Sequence, residues 1–345
     1  MNKRTINVGV IGYGYWGPNL VRNFASLDES TVTVVADRDP EKLQRVSKLF
    51  PSVLATQDAE QLITSADVDA VAIATPVSSH YALAKAALLS GKHVLVEKPI
   101  TTTSEQAEEL IRLASDNRLV LMVDHTFIYT GAIRKIGELI DSGELGELYY
   151  FDTERINLGL LQQDVNVVWD LATHDLSILL HLIDEKPTGI RAFGYRHIGK
   201  HQEMAELNLR YESGFHAHIR VSWLSPVKMR LTMIGGSRRM IVYDDVEPSE
   251  KVRVYDKGIA LGEADAEETT AEPIYRAGDV FIPKLDRTEA LEVEGAHFLD
   301  CIRHGRKPLT GGAEGLAVVR ILEAAEQSLN ANSELVSLEI SDGGT

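Results

Sequence analysis

A glycine-rich turn near the amino end sets the tightest limit on how this chain can fold. Thr5-Ile6-Asn7-Val8-Gly9-Val10-Ile11 has the apolar character of a buried strand and runs straight into Gly12-Tyr13-Gly14-Tyr15-Trp16-Gly17-Pro18. A turn of this kind, leaving a strand and opening a helix, lets backbone approach a pyrophosphate closely. The helix N-terminus adds unbonded N–H groups and the positive end of its dipole. Pro18 suits the first helical position, where a missing N–H costs nothing. The next apolar run, Thr31–Ala36, ends in Asp37, about twenty residues past the last glycine, where a ribose-binding acid belongs. An ordinary tight turn would account for the glycines but not for the acid. The pattern predicts a dinucleotide site built from Gly12, Tyr13, Gly14, Tyr15, Trp16, Gly17, Asp37 and Arg38.

Strand and helix patterns alternate onward to about residue 124. Strands are expected near Ser52–Ala55, Asp69–Thr75, His93–Glu97 and Leu119–Val123, and helices near Pro40–Phe50, Ala59–Thr64, Ser79–Ser90 and Ser104–Ser115. Thr103 with Gln106 resembles a capping box. Short connections between alternating β and α mean a doubly wound parallel sheet. Two further loops leave its strands toward the ligand end. One is Ala74-Thr75-Pro76-Val77-Ser78-Ser79-His80, expected beside the glycine loop where strand order reverses, with Thr75, Pro76 and His80 as cofactor contacts. The other is Glu97-Lys98-Pro99, where Pro99 biases Lys98 toward an extended backbone at the mouth of the crevice.

After Asp124 the pattern changes, so residues 1–124 are read as a dinucleotide-binding domain and 125–345 as a second, α+β domain. Ala132–Ser142 reads as an amphipathic helix and Glu147–Ile156 as a strand. From Thr188 to about Asp256 the hydrophobic period is two: Phe215, Ala217, Ile219, Val221 and Trp223 alternate with His216, His218, Arg220 and Ser222. A large, mostly antiparallel open sheet follows. His216 and His218 lack a further ligand at metal spacing, and no metal site is expected. Gly262–Pro273 reads as an exposed acidic loop, and helices near Glu289–Arg303 and Ala313–Leu329 close the domain.

Within this second domain, Val168-Trp169-Asp170-Leu171-Ala172-Thr173-His174-Asp175-Leu176 is almost wholly apolar apart from its acids and imidazole. On a helix, Asp170, His174, Ser177 and His181 share one stripe. A carboxylate and an imidazole on an otherwise buried helix cost free energy unless they face each other or a polar cleft. A structural Asp–His pair is the competing reading. Arg155 and Asn157, at the end of the preceding strand, are candidate substrate contacts, with a solvated strand end as the alternative.

Composition narrows the partners. The formal net charge of −16 and the lack of a basic cluster argue against nucleic acid or an anionic membrane. No apolar run approaches the roughly 20 residues of a membrane span, and the first strand leaves no room for a signal peptide. Cys301 is the only cysteine, so no internal disulfide can form and a cytoplasmic home is expected.

Together these motifs resemble the Gfo/Idh/MocA family of nicotinamide-dependent sugar and cyclitol oxidoreductases. The likeness spans nearly the whole chain: the glycine turn, Ala74-Thr75-Pro76, Glu97-Lys98-Pro99, Glu138–Gly146, Asp170-x-x-x-His174, and the helix pair containing His297-Phe298 and Cys301-Ile302. The resemblance implies that Lys98, Asp170 and His174 line a cleft beside the nicotinamide. It also implies a homodimer or homotetramer packed through the open sheet. Two departures stand out: His125-Thr126-Phe127 replaces the Asn-x-Arg-Phe of many members, and Ser177 replaces an Asp common three residues after the motif His. These variants look most like members of nucleotide-sugar pathways. The expected activity is hydride transfer between NAD(P) and a secondary alcohol of a nucleotide-linked sugar, at C-3. Lys98 and His174 share the oxyanion and proton roles in either order, and Asp170 orients them. A free-sugar or cyclitol dehydrogenase, a redox-neutral NAD-retaining glycosidase or lyase, and a non-catalytic NAD sensor are the alternatives. Asp37 favours NAD, because its carboxylate would face the 2′-phosphate of NADP. Arg38 pulls the other way, so NADP tolerance is expected.

Overall fold

A computed structural model of the chain describes residues 4–162, 164–261 and 272–340. Among them, residues up to Tyr129 together with Thr288–Arg320 make one compact unit. Thr130–Arg287 and Ile321–Ile340 make a second.

The first unit opens with β1 (Ile6–Ile11), α1 (Gly17–Ser26), β2 (Ser30–Ala36), α2 (Pro40–Leu49), β3 (Leu54–Thr56), α3 (Ala59–Thr64) and β4 (Ala70–Ile73). It continues through α4 (His80–Leu89), β5 (His93–Glu97), α5 (Ser104–Asp116) and β6 (Leu121–Asp124). The six strands are parallel in the order β3-β2-β1-β4-β5-β6, so strand order reverses at β1 and β4, where such sheets bind ligands. Helices on both faces leave the central strands dry: Val8, Val10, Val71, Ile73 and Val94 are fully buried. Asp39, Asp58 and Thr103 each accept a first-turn N–H of α2, α3 and α5, caps worth about 1 kcal/mol apiece. The expected capping box forms by half, because the Gln106 side chain takes the Thr102 hydroxyl instead.

The second unit contains α6 (Gly131–Asp141), β7 (Leu148–Leu158), a π-helical turn at Val168–Ala172 and α7 (Thr173–Leu182). After these come β8 (Gly189–Tyr195), β9 (Met204–Arg210), β10 (His216–Ser222), β11 (Leu224–Gly236), β12 (Met240–Asp244), β13 (Val252–Leu261) and β14 (Pro273–Phe281). They build a nine-stranded sheet, β14-β13-β12-β11-β7-β10-β9-β8-β15, in which β15 is Val336–Ser337. Every pairing is antiparallel except β7 with β10. The period-two reading of β10 holds, since Phe215, Ala217, Ile219, Val221 and Trp223 are all buried. Ser222 departs from it, being buried with its hydroxyl accepting the Leu224 N–H. On the open face, a cross-strand hydrogen bond joins His218 to Asp152 and an ion pair joins Arg220 to Glu154. Of the expected acidic loop, residues 262–271 lie outside the described residues, and Pro273 begins β14.

The closing helices, α8 (Ala290–His304) and α9 (Gly312–Asn330), divide differently from the sequence reading, which gave both to the second domain. Leu291, Phe298, Leu299 and Cys301 of α8 join the core of the first unit, with the Phe298 ring 6.3 Å from that of Phe24. Thr310 exchanges two hydrogen bonds of 2.7 Å with the Val123 backbone. The chain thus returns to cover one side of the parallel sheet, contacts between residues more than 170 apart that no local pattern announces. Among the described residues no helix is long and apolar enough to cross a membrane.

Candidate active site

On the first unit the glycine loop has the shape its sequence requires. Gly12 sits at φ +96°, and a Cβ there would meet the Ala74 carbonyl oxygen at 2.4 Å. A Cβ on Gly17 would fall 2.0 Å from the Gly12 oxygen, whereas one on Gly14 would meet nothing within 4 Å. Gly12 and Gly17 therefore shape the turn, while Gly14 leaves its outer surface clear for close approach, the fit that a pyrophosphate at the start of α1 demands. Asp37 ends β2 with its Oδ2 accepting the Tyr13 N–H at 2.6 Å and its Oδ1 accepting the Asp39 N–H at 2.9 Å. The Tyr13 N–H is thus spent inside the protein and its ring is buried, so Tyr13 stiffens the loop rather than offering a donor to the cofactor. Tyr15 is 83 % exposed and packs edge-on against Trp16. Arg38 is exposed. The sequence reading passed over Lys42, whose ammonium reaches Asp37 at 3.4 Å and is the nearer cation to that carboxylate. Its position in the first turn of α2 was the available signal.

His80 was read as a cofactor contact. It is 1 % exposed, with Nδ1 2.9 Å from the Pro99 oxygen and Nε2 2.7 Å from the Thr75 oxygen. Both ring nitrogens are occupied by backbone, so His80 ties the Thr75-Pro76 loop to the Glu97-Lys98-Pro99 loop. Burial lowers its pKa against the opposing pull of its two carbonyl partners. Ser79 bonds the Thr75 hydroxyl at 2.8 Å, and Pro76 is exposed at the loop's tip. Lys98 is half-buried, and the Lys98–Pro99 peptide is cis. Its own N–H bonds the Glu97 carboxyl, which is buried and directly opposite Asp124 across the β5–β6 pair. Glu97 is therefore a wall behind Lys98 rather than a surface for a ligand. Burial and the Asp124 charge push its pKa well up.

On the second unit, Asn166 begins the Asp170 segment by accepting the N–H groups of Val168 and Trp169 at 3.0 and 3.2 Å. The backbone then winds one π turn, a feature common at functional sites, before α7 carries His174. Asp170, His174 and His181 are half-buried, as are Leu171 and Leu180, whereas Thr173, Asp175, Leu176, Ser177 and Ile178 are buried, so three of the four expected stripe members are partly open and Ser177 is not. Ser177 turns inward, its hydroxyl on the His174 carbonyl at 2.7 Å. Trp223, buried where β10 passes into β11, donates its indole N–H to Asp170 Oδ2 at 3.0 Å. That bond holds the acid in one orientation.

Arg155 does not meet the expectation of a substrate contact. It is 5 % exposed and grips Asp175 through two bonds of 2.8 and 2.9 Å, with Thr153 also on that carboxylate. Its work is to pin the residue after His174 to the sheet. Asn157, two residues on, is half-buried at the strand end.

Comparison with known proteins fits both halves. Residues 6–125 match the model of an oxidoreductase family with an NAD-binding Rossmann fold, and residues 133–242 match the Gfo/Idh/MocA C-terminal domain. The chain belongs to the Gfo/Idh/MocA family. It is 29 % identical over 328 residues to a UDP-N-acetylglucosamine 3-dehydrogenase of Acidithiobacillus ferrooxidans, spanning 93 % of this chain and 96 % of that protein. A solved structure of that dehydrogenase superposes with a TM-score of 0.80 at 26 % identity, covering 95 % of this chain and 99 % of the other. An inositol 2-dehydrogenase of Rhizobium meliloti is 24 % identical, with 94 % and 97 % covered. As a member of this family the chain is an NAD-binding oxidoreductase.

Proposed function

We propose that this protein transfers a hydride between NAD and a secondary hydroxyl of a nucleotide-linked sugar, at C-3. The observation that carries the reading is an open glycine turn with an acid at the end of β2 on the first unit; the half-buried Asp170 and His174 of the second unit add to it. The dinucleotide would be held by the backbone at Gly12, Gly14 and Gly17, by the Asp37 carboxylate, and by the Thr75-Pro76 loop. Bound nicotinamide supplies the hydride acceptor or donor.

The chain's own groups handle the proton and the charge. His174 takes the hydroxyl proton as the alcohol is oxidised, since imidazole titrates in the right range. Lys98 donates to the substrate oxygen and stabilises the negative charge that develops on it. Asp170, aimed by the Trp223 N–H, holds the charged form of its partner. Exchanging the parts of His174 and Lys98 is the second reading, open to lysine because cationic surroundings lower its pKa. Replacing either residue by Ala should cut turnover about 10²–10⁴-fold while cofactor binding persists. A His174→Ala enzyme with full activity would overturn the assignment.

The C-3 nucleotide-sugar reading draws on the full-length likeness to the UDP-N-acetylglucosamine enzyme, with inositol-type cyclitols second. Thermal-shift screening with NAD present separates them, because a ligand of the native state raises its melting temperature. Stabilisation by free inositol but by no nucleotide sugar would reverse the order. We also propose a homo-oligomer. Every residue of β14, the edge strand, is exposed, including Ile274, Tyr275, Val280 and Phe281, an apolar edge that single chains seldom leave open. Light scattering at micromolar concentration should give a multiple of the chain mass. A cytoplasmic home suits the single buried cysteine, and export to the medium in the native host would contradict it.

A further inference from the structure

Three carboxyl groups meet inside the first unit, and the proposed reaction uses none of them directly. Glu97 ends β5, Asp124 lies opposite it at the end of β6, and Glu294 comes from α8. They are 8, 3 and 0 % exposed. Their hydrogen bonds do not close if all three are ionised. Asp124 Oδ1 receives the Thr126 hydroxyl proton. Asp124 Oδ2 and both oxygens of Glu294 have no N–H or O–H donor among the described residues. The Thr126 hydroxyl also lies beside Glu294, yet it has a single proton to give. What Glu97 and Glu294 each meet is the carboxyl of Asp124.

Two ionised carboxylates offer only acceptors, so such a contact repels unless one of them carries a proton. Among the described residues no group of three or more acids, histidines or cysteines is arranged to hold a metal ion. The charged and titratable neighbours do little to offset the repulsion. Lys98 acts on Glu97 from the loop after β5, while His125 beside Asp124 is buried and held neutral, its pKa pushed to about 3. Tyr129 shares its hydroxyl with Thr310.

We propose that Glu97, Asp124 and Glu294 act as one positioning cluster that keeps a shared proton at neutral pH and thereby sets the charge beside Lys98. The proton leaves to water as pH rises, adding a negative charge behind the ammonium that would steady the substrate oxygen. This rests on the reading of Lys98 given above, and the proton itself is measurable without any substrate. Burial and the neighbouring carboxylates raise the values of Glu97 and Glu294 in the folded state. Their protons therefore contribute stability that is complete below the ordinary carboxylate range, near pH 4, and is lost as pH rises through the raised folded value.

Infrared spectra of the purified protein in heavy water test the cluster directly. At pH 7.5 the wild type should show the C=O stretch of a protonated carboxyl, fading as pH rises. The band should vanish or move in Glu294→Gln and in Asp124→Asn, and should persist in the exposed control Glu60→Gln. Glu294→Gln should also flatten the decline of melting temperature with rising pH. With a sugar substrate, it should shift the pH profile of kcat/KM acidward by about one unit, because the remaining pair loses its proton more easily with one like charge fewer. No protonated carboxyl in the wild type, or a band indifferent to both substitutions, would overturn the proposal. A band that responds while the kinetic profile stays put would sever the cluster from Lys98 and leave the assignment of Lys98 itself standing. A protein that shows the band and turns over no sugar would instead count against the proposed reaction.

Discussion

Two buried sets of charges stand behind the proposed reacting groups, and they are built on opposite principles. Behind His174, Asp175 is matched by Arg155 in a bidentate pair, with the two side chains only 2 and 6 % exposed. Behind Lys98, Glu97, Asp124 and Glu294 press like charge against like. An opposite pair neutralises itself and resists change with pH. A like cluster must store protons, so its charge follows the solution. The first kind gives a fixed scaffold and the second an adjustable field. The first suits a group that has to point correctly, and the second a group whose surroundings can change with pH.

The sharpest way to break this contrast is to split the opposite pair. Arg155→Met should lower unfolding free energy by about 3–5 kcal/mol, because it strands a buried carboxylate, and adding Asp175→Leu should restore most of that loss. Denaturant titration checks both. If Arg155→Met left stability intact and raised only KM for the sugar, Arg155 would be a substrate contact after all.

A smaller effect is expected at Asp170, whose carboxylate accepts the Trp223 indole N–H. Trp223→Phe keeps the bulk and removes the N–H. A hydrogen bond to a charged group is worth about 1.5–3 kcal/mol, so kcat should fall by roughly ten- to a hundredfold. The KM for NAD should hardly move, and steady-state kinetics would show the split.

Asp37 sits between the two kinds of burial: its carboxylate holds two backbone N–H groups and shares Lys42. Asp37→Ser should move the ratio of kcat/KM for NADP over NAD upward by about tenfold or more, by removing a like charge from the 2′-phosphate. Lys42→Ala and Arg38→Ala should each sharpen the preference for NAD by a few-fold only, as exposed charges do. A wild type that prefers NADP would show that these cations outweigh the acid.

A further effect, read in stability alone, concerns His125, neutral beside the like-charge cluster. Its folded pKa, depressed to about 3, lies below the unfolded value near 6.5, so its contribution is present above that value and lost as pH falls toward 3. His125→Asn should remove one proton's share, about 1.4 kcal/mol per pH unit, from the acid decline in stability. Unfolding curves from pH 7 to 4 measure it.

Much of this is legible in the amino-acid sequence itself. The Gly12–Gly17 turn and Asp37 are local in sequence, and a strand followed by a glycine turn has few other structures open to it. Asp170 and His174 were also legible as half-buried polar residues four apart, whereas Ser177, expected on the same stripe, turns inward to the His174 carbonyl. Partners from distant segments were not legible. Trp223 reaches Asp170 across 53 residues, Arg155 reaches Asp175 across 20, and Glu294 joins Glu97 and Asp124 only because α8 returns to the first unit. Arg155 and His80 misled for one physical reason. Polar side chains near a ligand loop read as contacts, yet here Arg155 donates to the buried Asp175 carboxylate and both His80 ring nitrogens lie against backbone carbonyls. Glu294 could have been suspected, as an acid on the buried side of an amphipathic helix.

The proposed reaction is net hydride transfer. Incubating the protein with NAD and a panel of UDP- and dTDP-linked sugars, and following reduced nicotinamide against product, tests it most directly. One NADH for each 3-keto sugar formed, abolished in His174→Ala, is the predicted result. Sugar conversion with no accumulation of NADH would contradict it and mark an enzyme that returns the hydride within each turnover.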